Sequence, residues 1–173
     1  MSGVRDVATA FAPASVGNVA VGFDILGHSV AALGDRVTVR RRDRPGVSIS
    51  SITGTVVDLP LAAEKNTAGM AALALQRELA LPFGFDLDVV KGIPLGSGLG
   101  GSAASAVAAV VAAAALVERP IDRTQLLKFA MQGEAVASGS VHVDNIAPSL
   151  FGGLVLTVGI DNPHVKRIPV PES

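Results

Sequence analysis

Apolar and polar positions alternate in several short stretches of the chain. Val7, Thr9 and Phe11 recur with period two ahead of Pro13, and Val37 and Val39 alternate with Thr38 and Arg40. Phe85, Leu87 and Val89 alternate with Asp86, Asp88 and Val90. Successive side chains of a strand point to opposite faces, so each stretch predicts a strand with one buried face. Residues 48–53 carry a weaker strand pattern, and residues 153–160 predict another strand. Helical spacing covers residues 67–80, opened by Asn66 or Thr67 as cap, residues 102–117, stopped by Pro120, and residues 122 to about 137. Strands come first, helices are interleaved, and no internal repeat or linker interrupts them. The pattern predicts an α+β fold with helices covering one face of a sheet.

Composition narrows the class. A chain of 173 residues, 49% apolar and 17% charged, can bury a core, and it is expected to form one domain over residues 1–173. A net charge of −1, with six Phe and no Trp or Tyr, offers neither a basic patch nor stacking platforms, so no nucleic-acid partner is expected. The absence of cysteine excludes disulfides, thiolate metal sites and a cysteine nucleophile. The opening MSGVRDVATAF has no apolar run of the signal-peptide kind, which sets a cytoplasmic location as the expectation. The most apolar stretch, residues 103–117, is shorter than the roughly 20 residues of a membrane span. It predicts a buried core helix and no membrane partner. The run Arg40, Arg41, Arg42, Asp43, Arg44 falls at a strand end before Pro45 and reads as a solvated turn rather than a phosphate patch.

The candidate chemistry begins with PLGSGLGGSAAS, residues 94–105, set between a predicted strand and a predicted helix. Glycines leave backbone N–H groups bare, and the helix start behind them adds about half a positive charge, which together suit an anion such as phosphate. The Walker pattern fails because Gly101 is followed by Ser102 and Ala103, not by Lys and a hydroxyl residue. Gly96, Gly98 and Gly101 satisfy a dinucleotide fingerprint, yet the acidic residue that should end a second strand, Glu118, ends a predicted helix. A third pattern, P-x-x-x-G-L-G-x-S-A-A, is met by Pro94, Gly98, Leu99, Gly100, Ser102, Ala103 and Ala104. It resembles the ATP loop of the small-molecule kinase superfamily that includes galactokinase, homoserine kinase, mevalonate kinase and phosphomevalonate kinase. The resemblance implies the superfamily's N-terminal domain, of the ribosomal protein S5 domain 2-like type, a mixed sheet with helices packed on one face. It implies ATP held by Pro94, Gly96, Ser97, Gly98, Leu99, Gly100, Gly101, Ser102 and Ala103, with the Ser102 hydroxyl near Mg²⁺.

Two further strings sharpen the resemblance. In APASVGNVAVGFDILG, residues 12–27, Asn18 could cap a helix and Asp24 could be a surface acid. The string also resembles the opening signature of homoserine kinases, A-P-A-S-x-x-N-x-x-x-G-F-D-x-L-G, which implies that Asn18 and Asp24 hold homoserine. A carboxylate beside the substrate ammonium makes physical sense, because charge-assisted hydrogen bonds are about twice as strong as neutral ones. In GEAVASGSVHVDNIAPSLFGG, residues 133–153, Glu134 by itself reads as a solvated acid and His142 as a structural histidine. The whole string matches G-E-x-x-x-S-G-x-x-H-x-D-N-x-A-P-x-x-x-G-G of homoserine kinases. The match implies that Glu134 binds Mg²⁺ together with Ser102, that His142 contacts substrate, and that Asn145 stands where related kinases carry an Asp base. Asn66 reads either as a helix cap or as a residue near the nucleotide.

The implied activity is ATP-dependent phosphorylation of the L-homoserine hydroxyl to O-phospho-L-homoserine, in threonine biosynthesis, with Glu134, Ser102 and Asn145 as the catalytic set. Two rival readings remain: a nucleotide-binding module without catalysis, and another small-molecule kinase of the superfamily. Hydrolysis by Ser102, His142 and Asp144 lacks a G-x-S-x-G elbow around any serine. Homoserine kinases run to about twice this length, so the family's C-terminal domain is expected to be missing and the chain to be weakly active or inactive. A second copy of the chain, forming a homodimer, is a candidate partner.

Overall fold

A computed structural model describes residues 5–20, 22–139, 142–159 and 162–170. The strands are β1 (Val7–Val16), β2 (Leu26–Arg42), β3 (Val47–Gly54), β4 (Gly84–Lys91), β5 (Leu154–Val158) and β6 (His164–Ile168). They form one six-stranded sheet in the order β3-β4-β2-β5-β6, with β1 also paired to β2. The β3–β4 pair is parallel and the other pairs are antiparallel, so the sheet is mixed. The helices are α1 (Thr67–Glu78), α2 (Gly101–Ala114), α3 (Arg123–Ser138) and α4 (Val143–Phe151).

Strand β2 organises the sheet. Its C-terminal part pairs with β4 from Arg36↔Val90 to Arg42↔Gly84, and its first residues pair with β5. Val37, Val39, Leu87, Val89 and Val155 are buried and pack with the alanines and valines of α2 in one core. The opposite face is polar: Arg40 pairs with Asp88, Ser51 donates to Asp88 at 2.6 Å, and the Thr9 and Thr38 hydroxyls meet at 2.8 Å. Helices therefore cover one face, as the sequence pattern predicts.

Other features differ from the pattern. In β1 the predicted buried face is inverted: Val7 is 52% and Phe11 48% exposed, while Ala12 and Ala14 are buried. Helix α2 lies close across β1 and presents small side chains, so the strand must turn its alanines inward to match. The displaced Phe11 ring instead lies under the Arg36 guanidinium, 5.7 Å away. The arginine run is only in part a solvated turn: Asp43 and Arg44 are exposed in the bend before Pro45. Arg40, Arg41 and Arg42 lie within β2; Arg42 donates to Ser48 at 2.7 Å and Arg41 sits 3.7 Å above the Phe83 ring. Helix α2 stops at Ala114, before the predicted end at residue 117. Helix α4 was not predicted: it has nine residues with Pro148 inside, too short for helical spacing to show. Residue 160, the predicted end of the last strand, and the Ser138 side chain lie outside what the structure describes.

Three helices meet at Gly133. A Cβ there would come within 2.5 Å of the Thr67 carbonyl oxygen, 2.8 Å of Ala71 Cβ and 3.2 Å of Ala106 Cβ. Gly133→Val is expected to lower stability by about 1–3 kcal/mol through overpacking, read as a lower urea midpoint at unchanged slope. An unchanged midpoint would mean that α3 stands off from α1 and α2.

Candidate active site

Strand β4 ends at Lys91, and the chain then runs through the glycine loop into α2. Gly96, Gly98 and Gly100 have φ of 70°, 72° and 63°, the left-handed region that glycine enters without strain. At Gly100 the requirement is also steric, since a Cβ would fall 2.3 Å from Ser15 Oγ and 3.0 Å from Asn145 Oδ1. Ser15 N–H donates to the Leu99 carbonyl at 3.1 Å and ties the loop to β1.

The start of α2 differs from the starts of α1 and α3. Asn66 caps α1 by accepting from Ala68 N (3.0 Å) and Gly69 N (3.4 Å), and Asp122 caps α3 by accepting from Gln125 N (2.9 Å). The N-cap of α2 is Gly100, with no side-chain cap. The first bond into the helix runs from Ala104 N to Gly100 O at 2.9 Å, so the amides of Gly101, Ser102 and Ala103 precede the intrahelical ladder. These amides and the helix dipole together suit an anion.

Gly101 and Ser102 line a cavity of about 580 Å³. Its lining includes residues 94–102, the apolar residues Val56, Leu59 and Pro60, and Glu134, His142 and Asn145. The Ser102 hydroxyl donates to Glu134 Oε1 at 2.8 Å. Glu134, on α3, is only 4% exposed, and burial pushes its carboxyl above the ordinary glutamate range against the opposing pull of Ser102, His142 and Lys91. Asn145 accepts from Ser15 Oγ at 3.2 Å.

Asp144, beside it, is buried and accepts from Asn18 N–H at 3.0 Å; Asn18 Oδ1 in turn accepts from Asp24 N–H at 2.8 Å. Asn18 (φ 55°) and Asp24 (φ 58°) sit in a turn rather than a helix, so Asn18 is a turn brace and not a helix cap. Ligand atoms of Asp24, His142 and Asp144 all lie within 4.8 Å of one another. Burial is the main cause that raises the Asp144 carboxyl, with the Asp24 charge adding to it.

The family described as "GHMP kinases N terminal domain" matches residues 66–153, which include the glycine loop, Glu134 and the segment from His142 to Asn145. The chain belongs to the GHMP kinases. It is 61% identical over 149 residues to a homoserine kinase of Xylella fastidiosa, covering 86% of this chain and 46% of that protein. It is 61% identical over 171 residues to a homoserine kinase of Xanthomonas campestris pv. campestris, covering 99% and 52%. The crystal structure of homoserine kinase from Cytophaga hutchinsonii superposes with a TM-score of 0.92 at 46% identity, covering 99% of this chain and 54% of that one. The chain thus spans about half the length of the curated relatives it matches. A mevalonate kinase of L. major, at 16% identity and a TM-score of 0.75, shares the fold.

In this GHMP kinase domain most of the residues expected around the nucleotide line one cavity. Pro94, Gly96, Ser97, Gly98, Leu99, Gly100, Gly101 and Ser102 line the cavity with Glu134, His142 and Asn145. Ala103 is not among the lining residues: it faces inward and is fully buried in the core. Asn66 lines the cavity while its side chain caps α1 and donates to the Pro60 carbonyl at 2.9 Å. Asn18 and Asp24 lie beside His142 and Asp144. The donor pair Ser102 and Glu134 fits Mg²⁺: a hydroxyl and a carboxylate are hard oxygen ligands, and a cation would offset the burial penalty on Glu134. Among the described residues no helix is long and apolar enough to cross a membrane.

Sequence reasoning missed Asp35, Lys91 and Ser105 beneath the loop. A signal was present, because Lys91 shares the inward parity of Phe85, Leu87 and Val89, and Asp35 that of Val37 and Val39. Opposite charges on the buried parity of neighbouring strands mark a paired buried site.

Proposed function

We propose that this GHMP kinase domain serves the ATP-dependent phosphorylation of the L-homoserine hydroxyl, giving O-phospho-L-homoserine on the way to threonine. The observation that carries the proposal is the uncapped start of α2, whose free amides face a cavity with Ser102 and Glu134 at its edge. The curated relatives named homoserine kinase support the choice of substrate.

In this reading the triphosphate lies against the amides of residues 98–103, and the base lies toward Val56, Leu59 and Pro60. Ser102 Oγ and the Glu134 carboxylate would hold Mg²⁺. When bound, Mg²⁺ neutralises charge on the phosphates. The carboxylates of Asp24 and Asp144 make an electronegative pocket for the substrate ammonium, with His142 beside them. The substrate hydroxyl oxygen forms a bond to the γ-phosphorus, the bond from that phosphorus to the bridging oxygen breaks, and ADP leaves. Asn145 cannot accept the hydroxyl proton as a base does, so the proton passes to a phosphate oxygen while Asn145, steadied by Ser15, orients the groups. The partners are small molecules, and the cytoplasm is the compartment in which this chemistry is expected.

Asn145→Ala is expected to lower turnover by well under 10⁴-fold, about the upper range for one acid–base group. A larger loss would assign Asn145 a direct part in proton transfer. Asp24→Asn is expected to raise the KM for homoserine by about 10- to 100-fold, the usual worth of a hydrogen bond to a charged group, and to leave the KM for ATP unchanged. Equal effects on both KM values would take Asp24 out of the ammonium site.

A second reading is a nucleotide-binding module without catalysis. Isothermal titration of the chain with ATP and Mg²⁺, followed by an assay of homoserine-dependent ADP release, separates the readings. Nucleotide binding without such release supports the module; robust release supports the kinase; no binding contradicts both.

A further inference from the structure

A buried ion pair lies directly behind the glycine loop. Asp35 on β2 is fully buried and Lys91 at the end of β4 is 6% exposed, and the two are in direct contact. Asp35 Oδ1 accepts from the backbone amides of Gly92 (2.9 Å) and Ile93 (3.2 Å), the residues that enter the loop. Lys91 Nζ donates to the Gly101 carbonyl (2.8 Å), where the loop leaves into α2, and to Ser105 Oγ (2.7 Å) one turn further on. The Ser105 hydroxyl donates back to Asp35 Oδ2 at 2.6 Å. One carboxylate and one ammonium thus hold both ends of the segment between residues 92 and 101.

We infer that the Asp35–Lys91 pair, with Ser105, is a clamp that preorganises the phosphate seat, which makes Lys91 and Asp35 positioning residues for nucleotide binding. The inference rests on the reading of the loop as that seat. A segment with glycines at 92, 96, 98, 100 and 101 has much conformational freedom to lose, and whatever freedom the free protein retains is subtracted from nucleotide affinity. The pair removes that freedom before ligand arrives. It explains a cost that packing alone does not require, since burying two charges is rarely stabilising compared with an apolar pair. It also accounts for a phosphate loop without a lysine of its own. The lysine comes from the preceding strand and grips the backbone, its donors engaged by Asp35, Gly101 and Ser105.

The test uses the double variant Asp35→Asn with Lys91→Met, which removes both charges and so avoids stranding one of them in the core. Its expected melting temperature stays within a few degrees of the parent's, while titration with Mg²⁺ and ATP gives a Kd about tenfold weaker, and amide exchange at Gly92 and Ile93, which bond to Asp35, speeds up in the free protein. A folded double variant with the parent's Kd and exchange rates would overturn the clamp. A measurement on the unaltered chain covers the case in which the variant does not fold. Backbone amides of Gly92 and Ile93 must be protected from exchange without nucleotide, and their protection must rise little when nucleotide is added. Amides that exchange freely until nucleotide binds would also overturn it. If the unaltered chain binds no nucleotide, the reading of the seat fails and the clamp with it; if only the variant result is negative, the clamp alone fails.

Discussion

Glu134→Gln is expected to reduce homoserine-dependent turnover, or the Mg²⁺-dependent part of nucleotide affinity, by at least about 10²-fold, and to raise the melting temperature at pH 7.5. Both effects have one cause. Glu134 is buried beside the start of α2, and burial is the largest influence on its carboxyl, lifting its pKa in the folded state. An acid whose pKa is raised by folding destabilises the folded chain when ionised. That cost is fully present above the folded pKa and vanishes as pH falls below the unfolded value of about 4.3. Glutamine still accepts the Ser102 hydroxyl bond but has no charge to desolvate, so the gain in melting temperature should be seen at pH 7.5 and fade toward pH 4. The same neutral amide is a poor ligand for a divalent cation. A variant that loses stability at neutral pH, or keeps full Mg²⁺ dependence, would remove Glu134 from the metal role.

Gly100→Ala should abolish measurable nucleotide binding and cost stability as well. The residue occupies φ 63° as the N-cap of α2, and its missing Cβ is the space taken by Ser15 Oγ at 2.3 Å. An alanine in the left-handed region costs about 1–2 kcal/mol before any clash is counted. The clash displaces the buried Ser15 hydroxyl or the loop itself, and a shift of the loop strains the Ser15 N to Leu99 O bond and the alignment of the first amides of α2. The expected result is a Kd for Mg²⁺ and ATP raised by at least about 10²-fold with a melting temperature several degrees lower. Gly46, at φ 108° with nothing within 4 Å of an added Cβ and far along the chain from the site, is the control: Gly46→Ala should lower stability but leave the Kd unchanged. Equal Kd effects from the two glycines would show that backbone strain alone, not seat geometry, weakens binding.

The chemistry of the site was more legible in the sequence than its framework. The glycine loop stood out by its residue types as a candidate phosphate seat, whereas Glu134 and His142 to Asn145 stood out only through the resemblance of their string to homoserine kinases. What those segments touch depends on pairing between distant strands, which no local pattern shows. The contact of Gly100 with Ser15, and of Asn18 with Asp144 across 126 positions, appears only after β1 and the turn that follows it are brought against the glycine loop and α4. The inverted face of β1 has a similar origin: Val7 and Phe11 are the larger apolar residues, but the close approach of α2 selects the alanines between them. Short elements with few buried positions were also hidden. Strand β6, HVKRI, has no fully buried residue, and α4 reads as part of a motif rather than as a helix. Asp35 and Lys91 were missed because each looks like an ordinary strand-end charge until their registers are joined, one step beyond the Arg36↔Val90 pair.

The central claim is that the amides of residues 98–103 seat the phosphates of a nucleotide. A crystal structure of the chain with Mg²⁺ and a non-hydrolysable ATP analogue tests it most directly. The account predicts phosphate oxygens about 2.7–3.2 Å from several of those amides, with Ser102 and Glu134 on the metal. A nucleotide bound elsewhere, with the same amides turned inward to protein acceptors, would contradict it.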